Sequence, residues 1–274
     1  MEGLMSRLND AVNFLQQRTG FEPEYGIILG TGLGNLVAHI DIAHEVNYSV
    51  IPHFQISTVE SHSGKLIFGT IGNKKVVAMQ GRFHYYEGYT MEEVVFPVRV
   101  MKLLGIRRIF ISNAAGSLNP AINKGDLMII NDHINLQPSN PLLGPNDFEL
   151  GPRFPDPYHT YDQELIEKAI VIARENNINC HKGVYVSVPG PMLETRAEYR
   201  YLHIIGGDAV GMSTVPEVLA CLHMGLPVFA ISVITDKGYP AEEVEPVTVE
   251  DVIAVAKAAE PHMTHILQEL ITSL

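Results

Sequence analysis

The chain has 274 residues, of which 46% are hydrophobic and 18% charged, and it carries a formal net charge of −12. This globular composition excludes a largely disordered chain. The acidic balance argues against sequence-independent binding to nucleic acid or anionic membranes, although a few basic groups and backbone amides can still bind a small anion locally. The two cysteines, Cys180 and Cys221, form no CxxC pair, and no histidine falls at zinc spacing. That speaks against a disulfide framework and a structural metal, and for a reduced, cytoplasmic setting.

Residues 1–19 read as an amphipathic helix, with Leu4, Leu8, Val12 and Leu15 on one face, rather than as a signal peptide, and no apolar run reaches membrane-spanning length. Seven β-rich runs follow: Tyr25–Leu29, Val76–Met79, Arg108–Ser112, Leu127–Ile130, Gly183–Val188, Ala209–Met212 and Val228–Ile234. Most are continuously apolar, the pattern of strands covered on both faces. Helical patterns separate them. Thr90 and Glu93 form a T-x-x-E capping box, with Pro97 a possible kink behind it. Thr214 and Glu217 repeat the box, with Gly225 as the stop; Asp162 can cap a helix from Gln163 to Asn176. Val249, Val252, Ile253 and Ala256 begin a last helical pattern that Pro261 kinks or breaks. Strands alternating with helices predict one α/β domain over residues 1–274. The long aperiodic stretch 136–159 predicts a functional loop, a lid or a contact between subunits.

Strand ends along the chain carry small or polar residues. GTGLG (residues 30–34) follows the first strand and reads either as an anion cradle at a helix start or as a tight turn. Asn35 takes the last glycine position of a dinucleotide fingerprint, and no Gly-Lys-Ser/Thr follows. GRFHYYEGY (residues 81–89) supplies Arg82 and His84, a planar fork and a second donor suited to phosphate, beside three tyrosines. SNAAG (residues 112–116) lets a ligand approach the backbone. PGPMLET (residues 189–195) delivers Glu194 near a helix start, where it serves either a ligand or the helix dipole. Ser213, in VGMST, is placed either to cap a helix or to bind an anion. Thr235 and Asp236 end the last strand, with a polar ligand edge or a plain turn as the alternatives. Ligands of α/β sheets bind at such carboxyl ends. No nucleophile elbow is present, and both cysteines read as core residues.

GTGLG, His62-Ser63-Gly64, GRFHYYEGY, NAAGSLN, PGPMLET and GMSTVPEV occur in the order found in the trimeric purine nucleoside phosphorylases, and FPVRV, DHINL and GPND also match. The chain resembles that family from about Tyr25 to the C-terminal helix. The resemblance implies a mixed central sheet, partly closed into a barrel and covered by helices. It implies reversible phosphorolysis of purine (deoxy)ribonucleosides with no metal or organic cofactor. It implies that Thr31, His62, Arg82, His84, the Ala114 amide and Ser213 hold phosphate, and that Tyr86 and Met212 contact the ribose. Leu193, Glu194, Thr235 and Asp236 would take the base, with Tyr185 and Val210 lining the pocket. His84, Glu194 and Asp236 would be the catalytic set. Phe154, in the long loop, would reach a neighbouring subunit's site, so a homotrimer is implied.

Three positions depart from the 6-oxopurine pattern. Asp236 stands where an Asn is usual, Val249 where a His would meet the ribose 5′-hydroxyl, and Leu193 where a Phe flanks the base. An ionised carboxylate repels O6 and N7 of hypoxanthine or guanine but accepts from the 6-amino group of adenine; a protonated one donates to N7. Asp236 and Val249 resemble the related methylthioadenosine phosphorylases. Inosine and guanosine are the expected substrates, with methylthioadenosine or adenosine as the alternative. From other classes, a nucleotide-binding oxidoreductase lacks its third glycine, and a non-catalytic nucleoside binder would turn over nothing in a phosphate-dependent way.

Overall fold

The computed structural model describes residues 3–31, 33–56 and 64–274. After helix α1 (Leu4–Thr19), strand β1 (Tyr25–Leu29) enters the middle of the sheet, and all five of its residues are buried. Strands β2 (Asp41–Asn47), β3 (Lys65–Ile71) and β4 (Lys74–Gln80) form an antiparallel meander that pairs with β1 through β4 in parallel. Helix α2 (Met91–Leu103) leads to β5 (Arg108–Ser117), then β6 (Leu127–Asn135). Helix α3 (Gln163–Glu175), β7 (Cys180–Ser187), α4 (Arg196–Ile204), β8 (Ala209–Gly211), α5 (Val215–His223), β9 (Val228–Lys237) and α6 (Val249–Thr272) complete the chain.

The nine strands form one mixed sheet in the order β2-β3-β4-β1-β5-β8-β7-β6-β9, and β9 pairs back onto β5. The last five strands therefore close into a barrel, while β2, β3, β4 and β1 remain an open wing on β5. Strand β5 belongs to both parts. Helices α1, α2 and α5 pack together in one layer; α6 packs on α3 and β9. Nine of the ten residues of β9 are buried, as its continuous apolar run requires.

Two strands escape the sequence pattern. In β2 only Val46 is buried, so it reads as polar, and in β3 Gly69 interrupts an otherwise apolar run. The stretch after residues 30–34 forms a short 3₁₀ helix, Gly34–His39, rather than an α-helix. The Thr90/Glu93 capping box forms, Asp162 caps α3 at Leu165 N, and Gly225 follows α5 with φ +60°. Helix α6 runs unbroken through Pro261.

The Thr214/Glu217 box does not form. Thr214 has φ +71° and ψ −54° and makes no side-chain cap. Val215 N donates to Ser213 O at 2.8 Å, closing a three-residue γ-turn of the rare, strained kind. A β-branched residue reaches positive φ only where its surroundings dictate it. Asn113 Nδ2 supplies part of that constraint, donating to Thr214 Oγ1 at 2.9 Å. Among the described residues no helix is long and apolar enough to cross a membrane, and no group of three or more His, Cys, Asp or Glu side chains could hold a metal ion.

Candidate active site

A cavity of about 640 Å³ opens where the ends of β1, β4, β5, β8 and β9 meet the loop after β7 and the start of α6. Its size is that of a small-molecule site. Thr31, Arg82, His84, Tyr86, Ala114, Leu193, Glu194, Val210, Met212, Ser213, Thr235, Asp236 and Val249 all line it, and the structure brings these sequence-predicted residues together.

The basic side is built around β5. Gly30 ends β1 so close to it that a Cβ there would lie 2.8 Å from Ser112 O and 2.9 Å from Asn113 Cα, so only glycine fits. Gly81 turns out of β4 with φ +107° and delivers Arg82. The guanidinium is buried: Nε donates to Glu217 Oε1 at 2.9 Å, and Nη1 donates to Ser112 O at 2.9 Å and Ser213 Oγ at 3.3 Å. His84 Nδ1 lies 2.9 Å from Glu87 Oε1, which also accepts from His84 N at 2.8 Å. An ionised carboxylate only accepts, so Nδ1 carries the proton. The imidazole stacks on Tyr86 with ring centroids 4.7 Å apart. Burial pushes the Tyr86 hydroxyl up to about 12, so it stays a neutral donor at physiological pH.

The acidic side comes from the barrel. Thr195 caps α4 together with Glu198, in a capping box the sequence reading did not single out. Glu194, one residue earlier, is thereby released from capping and lines the cavity. Burial pushes its carboxyl above the ordinary range and the nearby Asp236 adds to this, against a hydrogen bond from Tyr199. Asp236 owes its position to a register shift. Ala115 pairs with Ile234 and Gly116 with Asp236, so Thr235 is an extra residue on β9. Such bulges re-aim side chains. Thr235 Oγ1 donates to Asp236 Oδ1 at 2.8 Å, and a Cβ on Gly116 would meet Asp236 Oδ2 at 2.8 Å. Burial raises the Asp236 carboxyl too, opposed by the Thr235 bond and by Lys124. Glu194 and Asp236 are thus two desolvated acids, both shifted toward their protonated forms.

Two sequence-predicted residues stand elsewhere. Tyr185 does not line the cavity; it is fully buried behind it, and its hydroxyl accepts from Ser213 N at 3.4 Å. Gly211 leaves room for that hydroxyl. Phe154 is 88% exposed on the loop and away from the cavity of its own chain. His62 lies outside the described residues. Ser213 makes no cap; its hydroxyl accepts from Arg82 instead. Cys221 is buried in the core and Cys180 is half-buried on β7, its thiol pushed up to about 12 by burial. The sequence reading places neither Glu217 nor the rim residues Val247, Val252 and Ile253 at the site, and it takes SNAAG only as a stretch open to backbone approach, with no role for the Asn113 side chain. The i, i+3 spacing of Val249 and Val252 signalled only a helix face.

The sequence pattern of the Phosphorylase superfamily matches residues 24–272. Purine nucleoside phosphorylase 1 of Bacillus subtilis (strain 168) is 50% identical over 233 residues, covering 85% of this chain and 86% of that protein. Purine nucleoside phosphorylase 1 of Geobacillus stearothermophilus is 43% identical over 267 residues, covering 97% of each. The crystal structure of Schistosoma mansoni purine nucleoside phosphorylase in complex with adenosine superposes with a TM-score of 0.93 at 41% identity, covering 98% of this chain and 97% of that one. The Schistosoma enzyme in complex with hypoxanthine superposes with a TM-score of 0.91 at 40% identity, covering 98% and 97%.

Fold and site together define an enzyme of the pentosyltransferase class. The chain belongs to the phosphorylase superfamily and, within it, to the purine nucleoside phosphorylases.

Proposed function

We propose that the chain catalyses reversible phosphorolysis of purine (deoxy)ribonucleosides, preferring inosine and guanosine. The observation that carries this reading is one cavity lined both by a fixed arginine–serine anion arm, Arg82 with Ser213, and by two acids with raised pKa values, Glu194 and Asp236. Phosphate would sit against Arg82, His84, Ser213, Thr31 and the Ala114 amide, with His62 closing over it. The C1′–N9 bond lengthens toward an oxocarbenium-like sugar, whose charge the phosphate stabilises before its oxygen bonds to C1′. The electron pair of the broken bond goes to the purine. Glu194 accepts from the base N1–H, and a protonated Asp236 donates to N7 as that nitrogen gains charge. Tyr86 and Met212 flank the ribose, with Leu193 and Val210 beside the base. Positioning and electrostatics suffice, and the reading includes no metal or organic cofactor. Phe154, exposed in its own chain, supports a homotrimer in which each copy completes its neighbour's site, and the reduced cysteines support a cytoplasmic setting.

A second reading rests on the rim. Val247, Val249, Val252 and Ile253 make the rim mostly apolar, with Thr248 and Glu250 among them, where a 5′-hydroxyl would want a polar partner. It favours 5′-methylthioadenosine, whose 6-amino group an ionised Asp236 would accept from. Product formation from inosine, guanosine, adenosine and methylthioadenosine, with and without phosphate, tests both readings. Phosphate-dependent cleavage of inosine and guanosine supports the first, and preference for methylthioadenosine the second. Absence of any phosphate-dependent cleavage refutes both.

A further inference from the structure

Glu217 occupies the third position of α5, where an acid ordinarily serves the helix start. Its side chain instead turns inward onto Arg82 Nε at 2.9 Å, with 3% and 2% of the two side chains exposed. Stability does not account for this pair. Two desolvated charges seldom recover their hydration, and an apolar pair of similar volume is often as stable or more so. The second oxygen, Glu217 Oε2, has no hydrogen-bond partner among the described residues, which adds to the cost. Binding strength does not account for it either, since a carboxylate beside an anion-binding arginine weakens the field the anion meets.

Geometry does account for it. A guanidinium has five donors in one rigid plane, and its flexible stem must be ordered before that plane is useful. Glu217 holds Nε from α5, Ser112 O holds Nη1 from β5, and Ser213 Oγ holds Nη1 from the turn before α5. The plane is thus fixed from three directions before a ligand arrives. The strained Thr214 turn, tied to Asn113, lies between Ser213 and the helix that carries Glu217, so both contacts reach Arg82 from one locked segment.

We propose that Glu217 is a positioning residue for the phosphate arm, acting through Arg82 Nε to fix the guanidinium plane rather than by its charge. The proposal rests on the reading that Arg82 binds phosphate. Two conservative variants separate shape from charge. Glu217→Gln keeps an acceptor at the same reach and loses the charge. Glu217→Asp keeps the charge and withdraws the acceptor by one methylene.

Steady-state kinetics with varied inorganic phosphate, and calorimetry of hypoxanthine binding without phosphate, read the outcome. Glu217→Gln should hold kcat/KM for phosphate within about threefold of the parent or improve it, and Glu217→Asp should lower it at least about tenfold. Both should bind hypoxanthine within about twofold of the parent. In an Arg82→Ala background Glu217→Asp should cost nothing further, since its route is gone. The reverse order, with Gln impaired and Asp normal, overturns the proposal, as do parallel losses in hypoxanthine and phosphate. If Arg82→Ala itself leaves phosphate kinetics unchanged, the underlying site reading fails, which is a different result from intact Arg82 dependence with an inert Glu217.

Discussion

Replacing Asp236 with Asn tests the base subsite most directly. Asp236 is 7% exposed, its carboxyl accepts from Thr235 Oγ1 at 2.8 Å, and burial raises its pKa. An Asn side chain fits the same space. Its carbonyl can take the Thr235 bond, leaving the amide N–H groups for N7 and O6. With adenosine the change removes a charge-assisted bond from the 6-amino group; with inosine it replaces a donor that exists only when the acid is protonated. One charged hydrogen bond in a desolvated site is worth about 1.5–3 kcal/mol, and about 1.4 kcal/mol is a factor of ten. The ratio of kcat/KM for inosine to that for adenosine should therefore rise roughly 10- to 150-fold in Asp236→Asn. The pH profile adds a second signature. In the parent, inosine cleavage should fall as pH rises through the raised Asp236 pKa, because the donor is lost, and in the variant that limb should vanish. Phosphate-saturated assays with both nucleosides from pH 5 to 9 decide the matter. An unchanged ratio together with an unchanged limb would refute the assignment of Asp236 to the base.

Three further expectations follow from the same geometry. Glu194→Ala should lower kcat/KM with any purine nucleoside at least about 100-fold through a lost charge-assisted bond and lost orientation, and retained activity would remove Glu194 from the site. Because burial raises the folded-state pKa of Asp236, its contribution to stability is fully present below the ordinary carboxylate range and is lost as pH rises through the raised value. Thermal melts of Asp236→Asn should therefore gain on the parent from low to neutral pH, and a constant offset would contradict this. Gly30→Ala forces a Cβ to 2.8 Å from Ser112 O, a clash with backbone that cannot rotate away, and should cost about 1–3 kcal/mol in urea unfolding; a neutral result would mean β1 and β5 can separate there.

The seven strands legible in the sequence carry continuous buried apolar runs, such as the five buried residues of β1 and the nine of β9. Strand β2 was not legible because only Val46 of its seven residues is buried, and β3 because Gly69 lets β2 come close and breaks the pattern. Capping boxes are local, and the one at Thr90 was read correctly for that reason. The box at Thr214 failed because Glu217 was claimed by an arginine 135 residues away. No window of adjacent residues contains that competition. Tyr185 was misplaced for a similar reason: its hydroxyl supports Ser213 from behind the wall, a contact set by how β7 and β8 pair. The strand-end motifs fall together in one cavity because carboxyl ends of parallel strands converge, whereas barrel closure is implied only by the family resemblance.

Strand β5 is the one strand shared by wing and barrel. Its middle, Ser112 to Ala114, serves the basic arm, and its end, Ala115 and Gly116, registers the bulge that aims Asp236. On the proposed reading, the two reactants would meet along about five residues of β5, phosphate against the wing strands with Ser213 and the base against the loops after β7 and β9. Substitutions in the loops after β7 and β9 would then change which base is accepted, whereas the loop after β8 also carries Ser213 of the anion arm. On that reading, drift in the wing would alter phosphate handling before base choice. Mutations on β5 itself are the exception, since any shift along that strand misaligns both reactants at once.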